Sequence, residues 1–215
     1  LALARIAVAR MPTDGAAHSL AGWAQFQLGA YEEAVASFQK AVELENQPNW
    51  HSDLLTARYY AGLAGKEELA RALAITVVPE HQLSYAQALA DCPDPARRDP
   101  RTAITTVTDP ALNGLYPTAG SLIEVIARVR LEEWQAAHEA LQRFVPRGDI
   151  LVVTPQAVPF LRALIHQKLG HAEAARECHA RGLEDWTQLV GDDPQAWQDS
   201  DVQRWRAAAE AAMGR

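Results

Sequence analysis

The side chains with the clearest potential for metal chemistry lie together late in the sequence. They are His166, His171, Cys178 and His179, whose imidazole and thiolate groups are common zinc ligands. Cys178 and His179 are adjacent on a predicted helix, so their side chains point in different directions. No second cysteine or acidic residue stands at the spacing of a metal site. We therefore expect packed or surface histidines here, and no metal.

The other reactive side chains also lack the partners that catalysis requires. Cys92 stands between a helix end and a proline-rich turn, where no motif supplies a histidine to activate it, so we expect a small buried apolar group. Four aspartates near the C-terminal end lack the spacing and glycine of a calcium loop, and helix capping explains them better. These aspartates are Asp192, Asp193, Asp199 and Asp201. With no serine triad or phosphate-binding loop, the sequence predicts neither an enzyme nor a cofactor.

Composition narrows the classes of protein further. The 215 residues are 48% hydrophobic, with abundant alanine, which favours helices around a sizeable core. The net charge of −7 and the absence of a basic stripe argue against nucleic acid and against an anionic membrane surface. No apolar run approaches the ~18 residues of a membrane span. The two distant cysteines favour a cytoplasmic setting.

The elements that would position any site are predicted by an internal repeat. Residues 16–44 contain two helical stretches around Gly29. Apolar residues recur in the second stretch at spacings of three and four, which is one stripe of a helix. This stripe consists of Tyr31, Ala34, Val35, Phe38, Ala41 and Val42.

Three kinds of residue recur along the chain at intervals close to the ~34 residues expected of such a repeat. The recurring alanines are Ala34, Ala70, Ala103, Ala137 and Ala175. Acidic pairs recur at 32–33, 67–68 and 132–133, and turn glycines recur at 29, 65 and 170. Because a small residue lets two helices approach closely, we expect the alanines to be buried where helices meet.

The first unit resembles the tetratricopeptide repeat family. The residues that carry the resemblance are Ala21, Gly22, Gly29, Tyr31, Ala34, Phe38 and Ala41, and the departures are His18 and Gln25. The resemblance implies an all-α fold, a right-handed α-solenoid of about five antiparallel helix pairs forming a single domain over 1–215. The implied parts are the end of a truncated preceding repeat (1–10), repeats at 16–44, 50–77, 80–108, 116–144 and 155–185, and a capping helix at 201–213.

Some connecting segments depart from this pattern. The third repeat has an expanded turn at 92–100 and threonines that weaken its second helix. Residues 109–114 are predicted to end a helix and start a loop. Residues 147–154 are interpreted as an extended linker, and residues 191–200 as a polar loop.

The resemblance also implies a concave groove lined by the first helix of each pair, where another protein or peptide binds. The residues it assigns to the groove are Trp23, Phe26, Gln27, Leu55, Tyr59, Leu122, Ile126, Arg130, Phe160, Leu164 and Lys168. Trp23 and Tyr59 are the main candidates, because they hold matching places in consecutive units. Arg130 and Lys168 are candidates for holding a carboxylate of the ligand. The alternative is that the apolar members only pack between neighbouring helices.

A narrower resemblance leaves a second function open. The segment 89–103 and the ending around Asp185 and Trp186 are similar to repeat regions of large planctomycete-type bacterial proteins, several of them serine/threonine kinases. This resemblance implies a regulatory arm whose catalytic part belongs elsewhere in a longer protein, because the chain shows no kinase motif. A third possibility is weak self-association through residues 1–10.

Overall fold

The computed structural model describes residues 2–144, 155–190 and 200–214, and within these ranges the chain is all-α with no strand, as predicted. The helices are α1 (Ala2–Arg10), α2 (Gly15–Gln27), α3 (Tyr31–Leu44), α4 (Pro48–Tyr60), α5 (Lys66–Ile75), α6 (Pro79–Asp91), α7 (Pro100–Val107), α8 (Pro110–Leu115), α9 (Pro117–Arg130), α10 (Trp134–Arg143), α11 (Val158–Lys168), α12 (Ala172–Val190) and α13 (Ser200–Ala212). Short 3₁₀ helices cover Pro95–Arg97 and Pro155–Ala157. No described helix has the length and apolar character to cross a membrane.

The chain forms two compact units, Leu1–Arg98 and Asp99–Arg215. In the first unit, α2 packs on α3, α3 on α4, and α4 on both α5 and α6. In the second, α7 and α10 pack on α9, and α12 and α13 pack on α11. The predicted third repeat, 80–108, is divided by this arrangement, because α6 lies in the first unit and α7 in the second.

Local sequence signals explain where the helices begin. The Asp14 carboxylate accepts hydrogen bonds from the backbone N–H groups of Ala16 and Ala17 at 2.8 and 3.3 Å, which satisfies two of the free donors at the start of α2. Proline occupies the first turn of α4, α6, α7, α8 and α9, where its missing N–H costs nothing.

The three predicted turn glycines all lie between the two helices of a pair, but only two of them have a positive φ. Gly29 and Gly170 have positive φ angles of 75° and 84°, which glycine adopts without steric cost. In the second pair this role falls to Gly62 (φ 81°), whereas Gly65 is extended and caps α5. The α9–α10 turn has no glycine, and Glu132 takes the left-handed conformation there (φ 59°).

The recurring alanines mark the helix contacts with one exception. Four of the five have no exposed surface, as predicted: Ala34, Ala103, Ala137 and Ala175. Ala70 is exposed, and its neighbour Leu69 is buried in its place. Helix α5 is therefore turned by one residue relative to the predicted register.

The expanded turn at 92–100 is an ordered part of the first unit up to Arg98. Arg97 donates hydrogen bonds to the backbone carbonyls of Tyr59 and Ala64, and its guanidinium lies 4.7 Å from the centre of the Tyr59 ring. The Tyr59 hydroxyl donates to the carbonyl of Arg97. This reciprocal contact fastens the turn to the end of α4.

The segment predicted to become a loop at 109–114 is instead helical. Asp109 accepts hydrogen bonds from the N–H groups of Ala111 and Leu112, and Pro110 opens the helix α8. The cap at Asp109 stabilises the start of this short helix more than Gly114, which lies near its end, disfavours the helical conformation. The predicted linker at 147–154 and nearly all of the predicted polar loop at 191–200 lie outside the described residues.

An ion-pair network around one buried carboxylate stabilises the α9–α10 pair of the second unit. The Glu124 carboxylate, which is buried, accepts hydrogen bonds from Arg128 at 2.8 Å and from Arg143 at 2.9 Å. Two guanidinium partners offset the cost of removing this carboxylate from water. The predicted C-terminal helix is present as α13 and buries Val202, Trp205 and Ala209.

Candidate binding surface

Four aromatic side chains meet at the end of the α2–α3 pair, and all four are half-buried. The Phe26 ring lies 5.7 Å from Trp23, 5.2 Å from Tyr31 and 4.8 Å from Tyr60, measured between ring centres. The steep angles between these ring planes give edge-to-face contacts, in which the positive edge of one ring meets the negative face of the other. We name Trp23, Phe26, Tyr31 and Tyr60 the aromatic face.

The core beneath the aromatic face holds it in place. Ala34, Phe38, Leu54 and Ala57 form a buried cluster, and Trp23 and Phe26 pack against it. A Cβ at Gly22 would lie 2.9 Å from the Phe38 ring, so glycine is required for this close approach of α2 and α3. Trp23, Phe26 and Tyr31 therefore project from this packed helix pair, and Tyr60 joins them from the end of α4.

A carboxylate lies beside these rings. Asp53 on α4 is half-buried, and its Oδ2 accepts a hydrogen bond from the Trp23 indole Nε1–H at 3.1 Å. Burial raises the pKa of Asp53 to about 7, and the Trp23 hydrogen bond only partly opposes this effect. On α6, burial and the Asp53 charge raise the pKa of Tyr85.

The raised pKa makes the stability of the first unit depend on pH. Because the folded pKa of Asp53 lies above its unfolded value, the folded chain binds more protons between about pH 4 and 7, and the free energy of unfolding falls as the pH rises through this window. Asp53→Asn keeps an acceptor for Trp23 and removes the charge. We expect it to stabilise the protein by about 1 kcal/mol at pH 8, a figure reduced for screening by water.

Urea denaturation at pH 4, 6 and 8 measures this difference in the free energy of unfolding. The stabilisation by Asp53→Asn should shrink towards pH 4, where the native carboxyl is already neutral. Glu45→Asn, at an exposed position, is the control and should show no such pH-dependent gain. A gain that stays constant from pH 4 to 8 would contradict the assigned ionisation.

The structure corrects the assignment of Tyr59 to the groove. Its side chain has no exposed surface and packs under Arg97, so it presents nothing to a ligand. The aromatic residue that joins Phe26 at the surface is the next one, Tyr60. The prediction that Tyr59 matches Trp23 at the surface was wrong by one residue along α4.

The remaining predicted residues of the first unit are accessible. Trp23, Phe26, Gln27 and Leu55 are all half-buried. Trp23 and Phe26 belong to the aromatic face. Asp53, Tyr31 and Tyr60 are the members of this surface that the sequence reasoning did not assign to a site.

The predicted residues of the second unit are mostly core. Leu122, Ile126, Phe160 and Leu164 are buried, so they contribute no surface to a groove, and the alternative that such residues pack between helices describes them correctly. Their helices are covered on both sides: α9 packs on α7 and α10, and α11 on α12 and α13.

The two predicted basic residues lie over tryptophan rings. The Arg130 guanidinium is 4.3 Å from the Trp205 ring centre, and the Lys168 ammonium is 5.6 Å from that of Trp134. Both distances are typical of cation–π contacts, which stabilise the packing of α9 with α13 and of α10 with α11. Their proposed role in holding a ligand carboxylate stays a prediction.

The histidine-rich segment divides between a surface cluster and a buried contact. His166 Nδ1 lies 3.4 Å from His171 Nδ1, and the His138 ring packs edge-on against His166. His179 is buried, with Nε2 3.2 Å from the Glu210 carboxylate of α13. Within the described ranges, no group of three or more His, Cys, Asp or Glu side chains is placed to hold a metal ion.

The two cysteines are both free thiols. Cys92 is fully buried, and burial raises its pKa, which keeps the thiol protonated and unreactive at neutral pH. Cys178 is half-buried, and burial raises its pKa as well.

Comparison with known proteins identifies one repeat. Residues 15–48, which hold α2 and α3 and reach the first residue of α4, match the family described as tetratricopeptide repeat. No curated protein and no solved structure matches the chain. In the sequence, Tyr60 follows Phe26 by the length of the matched segment. The repeat period therefore relates these two rings of the aromatic face.

Proposed function

We propose that the chain is a non-catalytic interaction module, and that its first unit binds a polypeptide segment of another protein on the aromatic face. The observation that carries this proposal is the cluster of four half-exposed rings, three on the helix pair that matches a tetratricopeptide repeat and the fourth, Tyr60, at the end of α4. Repeats of this kind generally mediate protein–protein interactions. Large rigid aromatic side chains supply much of the binding energy at such interfaces and lose little conformational entropy on binding. The two free cysteines suit the cytoplasmic setting that we propose for it.

Selection from a random peptide library on the immobilised 215-residue chain tests this function. We expect the wild-type chain to enrich binding peptides, and Trp23→Ala/Tyr60→Ala to reduce their affinity by about tenfold or more, because each anchor typically supplies over 1 kcal/mol. Tyr60→Ala alone should act in the same direction with little effect on folding, since this ring lies half-exposed at the last residue of α4.

The matched control for this selection is Ile75→Ala/Val77→Ala. Ile75 and Val77 are aliphatic residues outside the aromatic face, and they are 81% and 89% exposed, more than any ring of that face. The control should leave peptide affinity unchanged. Equal losses in both double variants would show non-specific apolar adhesion and contradict the assignment.

Self-association through α1 is a second candidate function, favoured by exposed apolar side chains there. Leu3 and Ile6 are 80% and 49% exposed, and Met11 just after the helix is 47% exposed. Sedimentation velocity at rising protein concentration should then show a growing mass, and Leu3→Gln/Ile6→Gln should abolish that growth. A constant monomer mass would contradict this candidate. The regulatory-arm function suggested by the kinase resemblance stays a prediction.

A further inference from the structure

Asp53 is a half-buried carboxylate without a cationic partner among the described residues. Its hydrogen-bonding partner there is the neutral indole of Trp23. Glu124 in the second unit shows the usual solution for a buried acid, since two guanidinium groups bind its carboxylate oxygens. Burial removes hydrating water from an ionised carboxylate, and without a positive partner this loss of hydration is not compensated.

The repeat itself does not require an acid at this place. Ser19 precedes Asp53 in the sequence by the length of the matched segment. It is a small neutral residue that is buried on α2. Trp23 also needs only a neutral acceptor for its indole N–H. The contact with Trp23 therefore does not require a negative charge, and Asp53 stands next to the surface that we propose binds a partner.

We propose that Asp53 and the Trp23 ring form a subsite for a basic side chain, lysine or arginine, of the polypeptide bound on the aromatic face. This inference rests on the proposed function and names the chemistry of the partner. An ammonium or guanidinium group donates to Oδ1, the carboxylate oxygen that Trp23 does not contact, and its alkyl stem packs on the neighbouring rings. The negative face of an indole ring attracts the same cations.

The protonation of Asp53 supports this subsite. With a pKa of about 7, the free carboxyl is roughly half protonated at neutral pH. A bound cation favours the ionised form, so binding should release a proton. The titratable side chain that responds to the Asp53 charge is Tyr85 of α6, whose pKa this charge raises, and the Trp23 indole of α2 is a neutral donor to Asp53.

The experiment is the same peptide selection, repeated on the Asp53→Asn and Asp53→Lys variants of the 215-residue chain. Wild-type chain should enrich peptides that carry lysine or arginine at one fixed place. Asp53→Asn should bind these peptides about tenfold more weakly or worse, and Asp53→Lys should select aspartate or glutamate at that place. Glu45→Lys, which changes an exposed charge by the same amount, should retain the wild-type preference.

The outcomes separate the subsite from the proposed function. Enriched peptides that depend on Trp23 and Tyr60 but lack a basic residue would overturn the subsite and leave the binding surface intact. Basic peptides that bind Asp53→Asn as well as the wild type would also overturn it. Peptides insensitive to both the aromatic and the Asp53 substitutions would overturn both proposals.

A direct titration tests the subsite without any selected peptide. The pKa of Asp53 is measured by carboxyl ¹³C NMR on the full chain in the presence of Nα-acetyl-arginine amide, and again with the neutral citrulline analogue. The arginine compound should lower this pKa and the citrulline compound should not. Equal pKa values in the two solutions would contradict the subsite.

Discussion

Ala34→Glu should unfold the first unit or leave it several kcal/mol less stable. Ala34 has no exposed surface and lies in the cluster with Phe38, Leu54 and Ala57, where α3 meets α2 and α4. A glutamate there must either bury a charge without a partner or separate the helices. Either outcome costs about 3–5 kcal/mol or more, which is comparable to the total stability of a small domain.

The control for this variant lies two residues further along the same helix. Ala36 is exposed on α3, so Ala36→Glu adds the same side chain to the same helix without burying it. Chemical denaturation should place Ala36→Glu within about 0.5 kcal/mol of the wild type. Similar losses for Ala34→Glu and Ala36→Glu would show that the contact between the helices is not where the structure places it.

Trp205→Ala should cost the second unit about 3–5 kcal/mol, the range for removing a large buried aromatic side chain. Trp205 has no exposed surface, its ring packs under the Arg130 guanidinium, and its helix α13 packs on α11. The substitution leaves a cavity and removes the ring that Arg130 contacts, so α13 should detach before the rest of the unit unfolds.

Hydrogen exchange and urea denaturation together measure this effect. Amides of α13 should exchange faster in Trp205→Ala than in the wild type, and the free energy of unfolding should fall. Ala207→Gln, at an exposed position of the same helix, should change neither quantity. An unchanged denaturation midpoint for Trp205→Ala would contradict the role of α13 as an integral part of the second unit.

The helices and most of their contacts were predictable because they follow from local and periodic signals. The stripe through Ala34 and Phe38 fixes which side of α3 is buried, and alanines at similar intervals mark contacts at Ala103, Ala137 and Ala175. These signals depend on helical periodicity and residue size, which the sequence states directly. The same reasoning placed α13 within one residue at each end.

Errors arose where the register depended on a turn rather than on a helix. The second pair uses Gly62 for the left-handed turn and Gly65 as a cap, and with this arrangement Leu69 is buried instead of Ala70. A glycine has several roles in a turn, and the sequence alone does not say which one applies. Helix α8 was missed for a related reason, since Asp109 serves equally well as a turn residue or a helix cap.

The candidate surface was predicted in part. Trp23 and Phe26 follow from the repeat. For the ring from α4, the prediction named Tyr59 instead of its neighbour Tyr60, although Tyr60 is the residue that follows Phe26 by one repeat length. Asp53 carried no sequence signal as a site, because its unusual pKa results from burial beside Trp23, which is a tertiary contact. In the second unit, the apolar residues that were assigned to a groove are buried in the core. Their helices α9 and α11 are covered by neighbouring helices, among them α13.

Hydrogen exchange on the 215-residue chain, with and without a peptide selected on it, tests the central claim most directly. If the aromatic face binds the polypeptide, exchange should slow in α2, in the turn at Gly29 and in α4, and the slowing should disappear in Trp23→Ala/Tyr60→Ala. Slowed exchange confined to α13, to the segment around Ile75 and Val77, or to the second unit would contradict the claim.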